Sequence, residues 1–392
     1  MKLLNAIILF TLILIIIAGA QPVFKGELIF PLQDKHVHGS SIVEAQNGDF
    51  LACWFHGSGE RKANDVLIQG ARFKKGTEAW GDVYVMADTP NLPDCNPVLF
   101  IDQKERLWLF WIAVQAKRWE RSILRYRLST DYQSPGVPQW DWQDIILFQP
   151  GEDFAQAIKD ALPHFKSQES MWSEYAPAYS KMTIEAAHDP VKRQAGWMTR
   201  IHPFVLPSGR ILLPLYSDGY NVSSVGISDD MGAHWRLSLP MVGLGPIQPT
   251  IVQKKDGTLV SYMRDSGVMP PRVLRSVSKD DGESWSLALD TDIPNPGSSL
   301  EVITLRDGCW LMVYNDTEEG RHQLAVSLSD DEGESWQWKR YIGKSERSKD
   351  SFSYPSMIQS RDGMIHLTYS YAQKGKQSIK HVVFNSEWIK AN

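Results

Sequence analysis

The chain is 392 residues long, 43% apolar and 11% aromatic, with a net charge of −5 and a pI near 6.1. That length buries a large core or builds one repeat array, and the mild acidity without a basic stripe argues against nucleic acid as a partner. Its three cysteines, Cys53, Cys95 and Cys309, allow at most one disulfide and have no metal-site spacing; they read as small buried hydrophobes. No cofactor or metal is expected.

The chain opens with an apolar run, LLNAIILFTLILIIIAGA, ending at Ala20. The A-x-A ending predicts a secretory signal peptide over residues 1–20, cleaved before Gln21, and a secreted or periplasmic protein with no stable membrane insertion after cleavage. The alternative is an uncleaved anchor, since the run is nearly long enough to span a bilayer. Residues 21–392 are expected to form one domain.

Beyond it, short apolar runs recur behind turn residues: GDFLACWF, ERLWLFWIAV, GRILLPLYS, GTLVSYMRD, GCWLMVYND and GMIHLTYSY. Three of the units that follow carry the same turn, S-x-D-x-G-x-x-W: SDDMGAHW from Ser228, SKDDGESW from Ser278 and SDDEGESW from Ser329, about fifty residues apart. Blades one and two carry degenerate versions around Lys74–Trp80 and Ser129–Trp140. In the full turns the second Asp (Asp230, Asp280, Asp331) is suited to accept the turn's own N–H groups. The Gly supplies a backbone angle that other residues avoid. The Trp is an apolar plate beneath the turn. These roles are structural.

Strand, turn, strand with a period near fifty predicts an all-β, six-bladed propeller of four-stranded antiparallel blades. The last blade lacks a strand, and KGELIFPL near residue 25 is the candidate to pair with SIKHVVFN and close the ring. The stretch from about 145 to 196 has no blade pattern and reads as an insertion: GEDFAQAIKDALPHF suggests a short helix, and MWSEYAPAYSKM is aromatic and polar.

With its repeated Asp-box turn, six blades and leader, the chain resembles the sialidase (neuraminidase) superfamily as a divergent member. The resemblance implies an exo-glycosidase acting on a terminal anionic sugar of a glycan or polysaccharide. Of the family's three substrate-binding arginines, it places Arg264 in KKDGTLVSYMRD and Arg321 in NDTEEGRHQLAVSLSDD. Their planar forks suit a carboxylate. The nucleophile falls on Tyr354 in SYPSMIQSRDG, where a neutral phenol meets less repulsion beside a carboxylate than Asp or Glu would. The acid/base falls on Asp65 in FHGSGERKANDVLIQ, with Glu60 as competitor in the same loop.

The sequence departs from the family at three places. His38 stands for the first arginine, Gln248 for the glutamate that activates the tyrosine, and Ser370 for the acid that supports the first arginine. Glu301, on an inward-facing strand, is a candidate for the activator's role. His36 and His38, and His202 beside Arg200, lie at strand starts, and Asn96-Pro and Gln248-Pro repeat one polar-Pro theme. Together they suggest a polar axial pocket ringed by His38, Asn96, His202, Gln248, Glu301 and Tyr354. Two further readings stand beside the hydrolase. A uronate-polysaccharide lyase would use His38, His202, Tyr354 and Arg264 for β-elimination, recognisable by an unsaturated, ultraviolet-absorbing product. A non-catalytic carbohydrate-binding propeller would use some of the 15 tryptophans to stack sugars.

Overall fold

The computed structural model describes residues 21–165, 179–219, 221–267 and 269–391. The N-terminal apolar run and most of MWSEYAPAYSKM lie outside the described residues. The strands form six antiparallel sheets in sequence order, the six blades of a propeller. The inner strands are His36–Glu44, Asp94–Ile101, Met198–Thr199 with Phe204–Val205, Pro246–Gln253, Glu301–Thr304 and Asp350–Gln359.

The second strand of each blade explains the apolar runs. Leu107–Val114, Ile211–Ser217, Leu259–Asp265 and Trp310–Asn315 are buried along their whole length, because a neighbouring blade covers each face. The outermost strand faces solvent, as in the fully exposed Trp142–Ile145.

Closure uses the predicted strand. Phe24–Leu28 pairs antiparallel with Lys376–Phe384, so the last blade takes its outer strand from the other end of the chain. The last blade thereby reaches four strands and ties the two ends of the described chain together.

The repeated turn does what its composition implies. His234, Ser284 and Ser335 donate their backbone N–H to Asp230, Asp280 and Asp331 at 2.9, 3.0 and 2.9 Å. Gly232, Gly282 and Gly333 have φ of 87°, 87° and 81°. Trp235 and Trp285 each donate the indole N–H to the carbonyl of the turn glycine, at 3.1 and 3.2 Å. Each turn also rests on the preceding blade: a Cβ on Gly232 would sit 2.2 Å from Trp108, and one on Gly282 3.1 Å from Leu212.

Between blades two and three the insertion carries the helix Glu152–Ala161, extended by a 3-10 turn at Leu162–His164, and the helix Tyr179–His188. Phe154 and Ile158 of the first helix are buried, and Phe154 meets Trp197 edge-on. All three cysteines are free; Cys53 and Cys95 are buried and Cys309 partly so. Among the described residues no helix is long and apolar enough to cross a membrane.

Candidate active site

The site is built on one irregularity. The inner strands of blades one, two, four and six each shift register, at His38/Ser41, Cys95/Val98, Ile247/Thr250 and Ser353/Ser356. Each bulge holds a residue at positive φ: Gly39 (64°), Asn96 (50°), Gln248 (56°) and Tyr354 (54°). For a residue with a Cβ this conformation costs about 1–3 kcal/mol and persists only where the surroundings enforce it. The bulge re-aims the side chain toward the propeller axis.

Hairpin pairing extends the position to the other blades. Gln253 pairs with Leu259, Gln359 with Ile365, Val205 with Ile211 and Thr304 with Trp310. Counting back from these pairs, Arg200 and Ser299 occupy the bulge position of blades three and five. One ring is therefore Gly39, Asn96, Arg200, Gln248, Ser299 and Tyr354. Two residues further along lies a second ring: Ser41, Val98, His202, Thr250, Glu301 and Ser356.

The second ring ties the blades together. Leu99 donates its N–H to Ser41 Oγ at 3.0 Å, and Val302 to Thr250 Oγ1 at 3.2 Å. Met357 donates to Glu301 Oε2 at 2.6 Å, and Ile42 to Ser356 Oγ at 3.2 Å. In each case a side chain of one blade receives the backbone of the next. His202 spans the interior, with Nδ1 2.6 Å from Glu301 Oε1 and Nε2 3.0 Å from the Ile42 carbonyl.

Three members of the first ring, Asn96, Gln248 and Tyr354, line a cavity of about 580 Å³. His38, Asn96, Gln248, Arg264, Arg321 and Tyr354 all line it, and Glu60, Lys117 and Trp119 stand among its other wall residues. Arg264 Nη1 donates to Tyr354 Oη at 2.8 Å, and Gln248 Nε2 donates to the same oxygen at 3.3 Å. The Arg321 guanidinium lies 5.1 Å from the Tyr354 ring centroid, and the His38 ring is 4.0 Å away. Arg321 is held by the Gly297 carbonyl, 3.2 Å from its Nη2. Arg200 is 1% exposed and does not line the cavity. It donates to the carbonyls of Ser40 and Pro355 at 3.0 and 3.1 Å, clamping the backbone beside Gly39 and Tyr354.

These contacts set the charges. Burial pushes the Tyr354 phenol up, but Arg264 and Arg321 outweigh it, and the net direction is below the ordinary tyrosine value. Burial, with Arg321 adding to it, holds His38 well below the usual histidine range, so its imidazole is neutral. Burial raises the Tyr216 phenol well above the ordinary value, and Asp218 adds to the effect. Burial raises Glu60, but His36, whose Nε2 is 3.5 Å from its Oε1, acts together with Arg321 and Arg61 to outweigh it, and the net direction is down.

Three expected site residues do not reach the cavity. Asp65 accepts from the Ser58 N–H and hydroxyl at 3.0 and 2.6 Å, and its carboxylate lies 3.3 Å from Lys35 Nζ. The Ser58 hydrogen bonds are the main cause that lowers it to about 2, so Asp65 is ionised and folds the loop on itself. The loop carboxylate in the cavity wall is Glu60. His202 and Glu301 belong to the second ring, and both Glu301 oxygens are taken by His202 and Met357. The departures at His38 and Ser370 are adjacent: Ser370 Oγ accepts the Gly39 N–H at 3.0 Å.

Tyr216 was not foreseen. It lines the cavity and accepts from Asn96 Nδ2 at 3.0 Å and Gln248 Nε2 at 3.3 Å. The signal was present: with Ile211 set against Leu259, GRILLPLYS places Tyr216 where GTLVSYMRD places Arg264.

The sequence matches the BNR repeat-like domain over residues 48–144 and 187–367. No curated protein matches it. Among solved structures, a protein of unknown function from Dyadobacter fermentans is 14% identical with a TM-score of 0.67, covering 94% of this chain and all of that one. The leech intramolecular trans-sialidase, complexed with 2,7-anhydro-Neu5Ac, is 14% identical with a TM-score of 0.68, over 93% of this chain and 71% of that one. The intramolecular trans-sialidase of Ruminococcus gnavus, in complex with oseltamivir carboxylate, is 15% identical with a TM-score of 0.65, over 91% and 96%. At such identities the likeness is one of fold. On the extent of the sequence match and the six four-stranded blades, this chain belongs to the BNR repeat-like domain family.

Proposed function

We propose that the protein is an exported, sialidase-like exo-glycosidase that removes a terminal anionic sugar from a glycan. The observation that carries this reading is the Arg264–Tyr354 hydrogen bond of 2.8 Å in a cavity also lined by Arg321. Two guanidiniums facing one cavity suit a carboxylate, and a phenol held by one of them suits attack at the carbon bearing it. The amide at Gln248 cannot take a proton from Tyr354. Activation therefore falls to the arginines, which favour the phenolate. The structural neighbours include trans-sialidases and sialidases, consistent with a sialic acid or related sugar. Export rests on the apolar run over residues 1–20. The test is release of 4-methylumbelliferone from its α-sialoside by the purified protein, lost in Tyr354→Phe.

One observation favours a second reading. Neutral His38 packs 4.0 Å from Tyr354, and an amide stands where a hydrolase of this kind carries a carboxylate. A Tyr/His pair beside arginines also suits proton abstraction next to a uronate carboxylate, followed by β-elimination. An unsaturated, ultraviolet-absorbing product from a uronate polysaccharide would select it.

A further inference from the structure

We propose that Tyr216 is the proton donor of this site, delivering its phenolic hydrogen to the leaving-group oxygen as the glycosidic bond breaks. The proposal rests on the glycosidase reading and supplies a protonated acid for it, because Asp65 lies outside the cavity lining and Glu60, which lines it, is held below the ordinary carboxylate range.

Tyr216 is 3% exposed and sits at the end of the strand Ile211–Ser217, in the cavity wall. Two amide nitrogens from flanking blades hold its oxygen, Asn96 Nδ2 at 3.0 Å and Gln248 Nε2 at 3.3 Å. With both lone pairs occupied, the hydroxyl hydrogen is left to point elsewhere, and among the described residues Tyr216 Oη donates no hydrogen bond. A ligand oxygen in the cavity is the acceptor the geometry provides.

The arrangement also couples donor to nucleophile. Gln248 Nε2 lies 3.3 Å from the oxygens of both Tyr216 and Tyr354, so one amide nitrogen separates the two phenols. Their settings are opposite. Tyr354 accepts from Arg264, whereas the hydrogen bonds Tyr216 receives come from neutral amides. Burial and Asp218 keep the Tyr216 proton in place, while Arg264 and Arg321 draw the proton off Tyr354. Environments that push two titratable groups apart are how one pocket acquires an acid and a nucleophile.

The step balances. The Tyr354 phenolate attacks the anomeric carbon, and a C–O bond forms. The bond to the leaving group breaks with its electron pair on oxygen, which takes the Tyr216 proton. Tyr216, now a tyrosinate, removes a proton from water as that water displaces Tyr354 from the anomeric carbon. Tyr354 departs as the phenolate and Tyr216 is again neutral.

The test compares two leaving groups. 4-Methylumbelliferone departs with little proton assistance, whereas lactose, in 3′-sialyllactose, needs it. Tyr216→Phe is expected to lower kcat/KM on 3′-sialyllactose by about 10²–10⁴-fold and on the aryl sialoside by no more than about tenfold, the range general acid catalysis supplies. Retained aryl turnover shows at the same time that the variant is folded. Tyr354→Phe should lose both substrates. A Tyr216→Phe loss that is equal on the two substrates, or absent on both, overturns the proposal. So does a loss confined to 3′-sialyllactose in Glu60→Gln or Asp218→Asn but not in Tyr216→Phe. A wild type inert on both sialosides overturns the glycosidase reading and the donor role with it; an active wild type with a flat Tyr216→Phe profile overturns the donor role alone.

Discussion

Removing the Glu301 carboxylate should loosen the whole inner ring. Its Oε2 accepts the Met357 N–H and its Oε1 lies against His202 Nδ1, each at 2.6 Å, and the residue is 1% exposed. Glu301→Ala leaves the buried Met357 N–H and the part-buried His202 Nδ1 without their partner, at about 1–3 kcal/mol for the first and less for the second, so a loss of roughly 1–5 kcal/mol is expected. The desolvation cost of burying the carboxylate in the wild type offsets part of that and favours the lower half of the range. Glu301→Gln keeps an oxygen for the Met357 N–H and should cost less than half as much. Met357 follows Tyr354 by three residues, so the alanine variant should also lose kcat as the Tyr354 bulge relaxes. Urea unfolding followed by tryptophan fluorescence, with kinetics on the same samples, measures both. A Glu301→Ala protein within about 0.5 kcal/mol of wild type, the scatter of an ordinary surface change, would mean that the Glu301 carboxylate does not hold the ring together.

Gly232→Ala should destabilise by roughly 2–5 kcal/mol, from about 1–2 for a left-handed backbone and about 1–3 for overpacking. Its Cβ would fall 2.2 Å from Trp108 at a φ of 87°, and thermal unfolding checks the outcome. Asp65→Asn should leave kcat/KM within about twofold of wild type, because Asp65 lies outside the cavity lining, whereas a general acid would lose about 10²–10⁴-fold. The depressed Tyr354 phenol gives a pH signature. Its contribution to stability is absent below the folded pKa, grows as pH rises through it and is complete above the unfolded value of about 10. The difference in unfolding free energy between wild type and Tyr354→Phe should therefore widen in favour of wild type toward that pH; a constant difference in denaturant titrations would contradict the assignment.

The fold was legible because its signals are local. S-x-D-x-G-x-x-W encodes a turn whose hydrogen bonds run within eight residues, and three copies set the period. The pairing of KGELIFPL with SIKHVVFN followed from counting strands in the last blade. The site was legible only where it rides on those signals. Arg264 and Tyr354 lie at fixed offsets from D-G turns, and the polar-Pro theme of Asn96 and Gln248 marks the bulge, with Tyr354-Pro355 its third instance. His202-Pro203 looks like a fourth, but the pairing of Val205 with Ile211 puts Arg200 at the bulge and His202 two residues beyond. Glu301 is displaced from the cavity by the same two residues. A shift of that size leaves a side chain on the same face of its strand, so alternation cannot reveal it. Asp65 and Glu60 share a loop whose shape is set by the Ser58–Asp65 hydrogen bonds, and no periodicity tells which carboxylate faces inward.

The most direct measurement is turnover of the α-sialoside of 4-methylumbelliferone by wild type and Tyr354→Phe, side by side. The account predicts steady release of the dye by wild type and none above background from the variant, with Arg264 and Arg321 sufficient to hold the sugar's carboxylate. Equal release by both proteins, or no release by wild type together with an ultraviolet-absorbing product from a uronate polysaccharide, would contradict it.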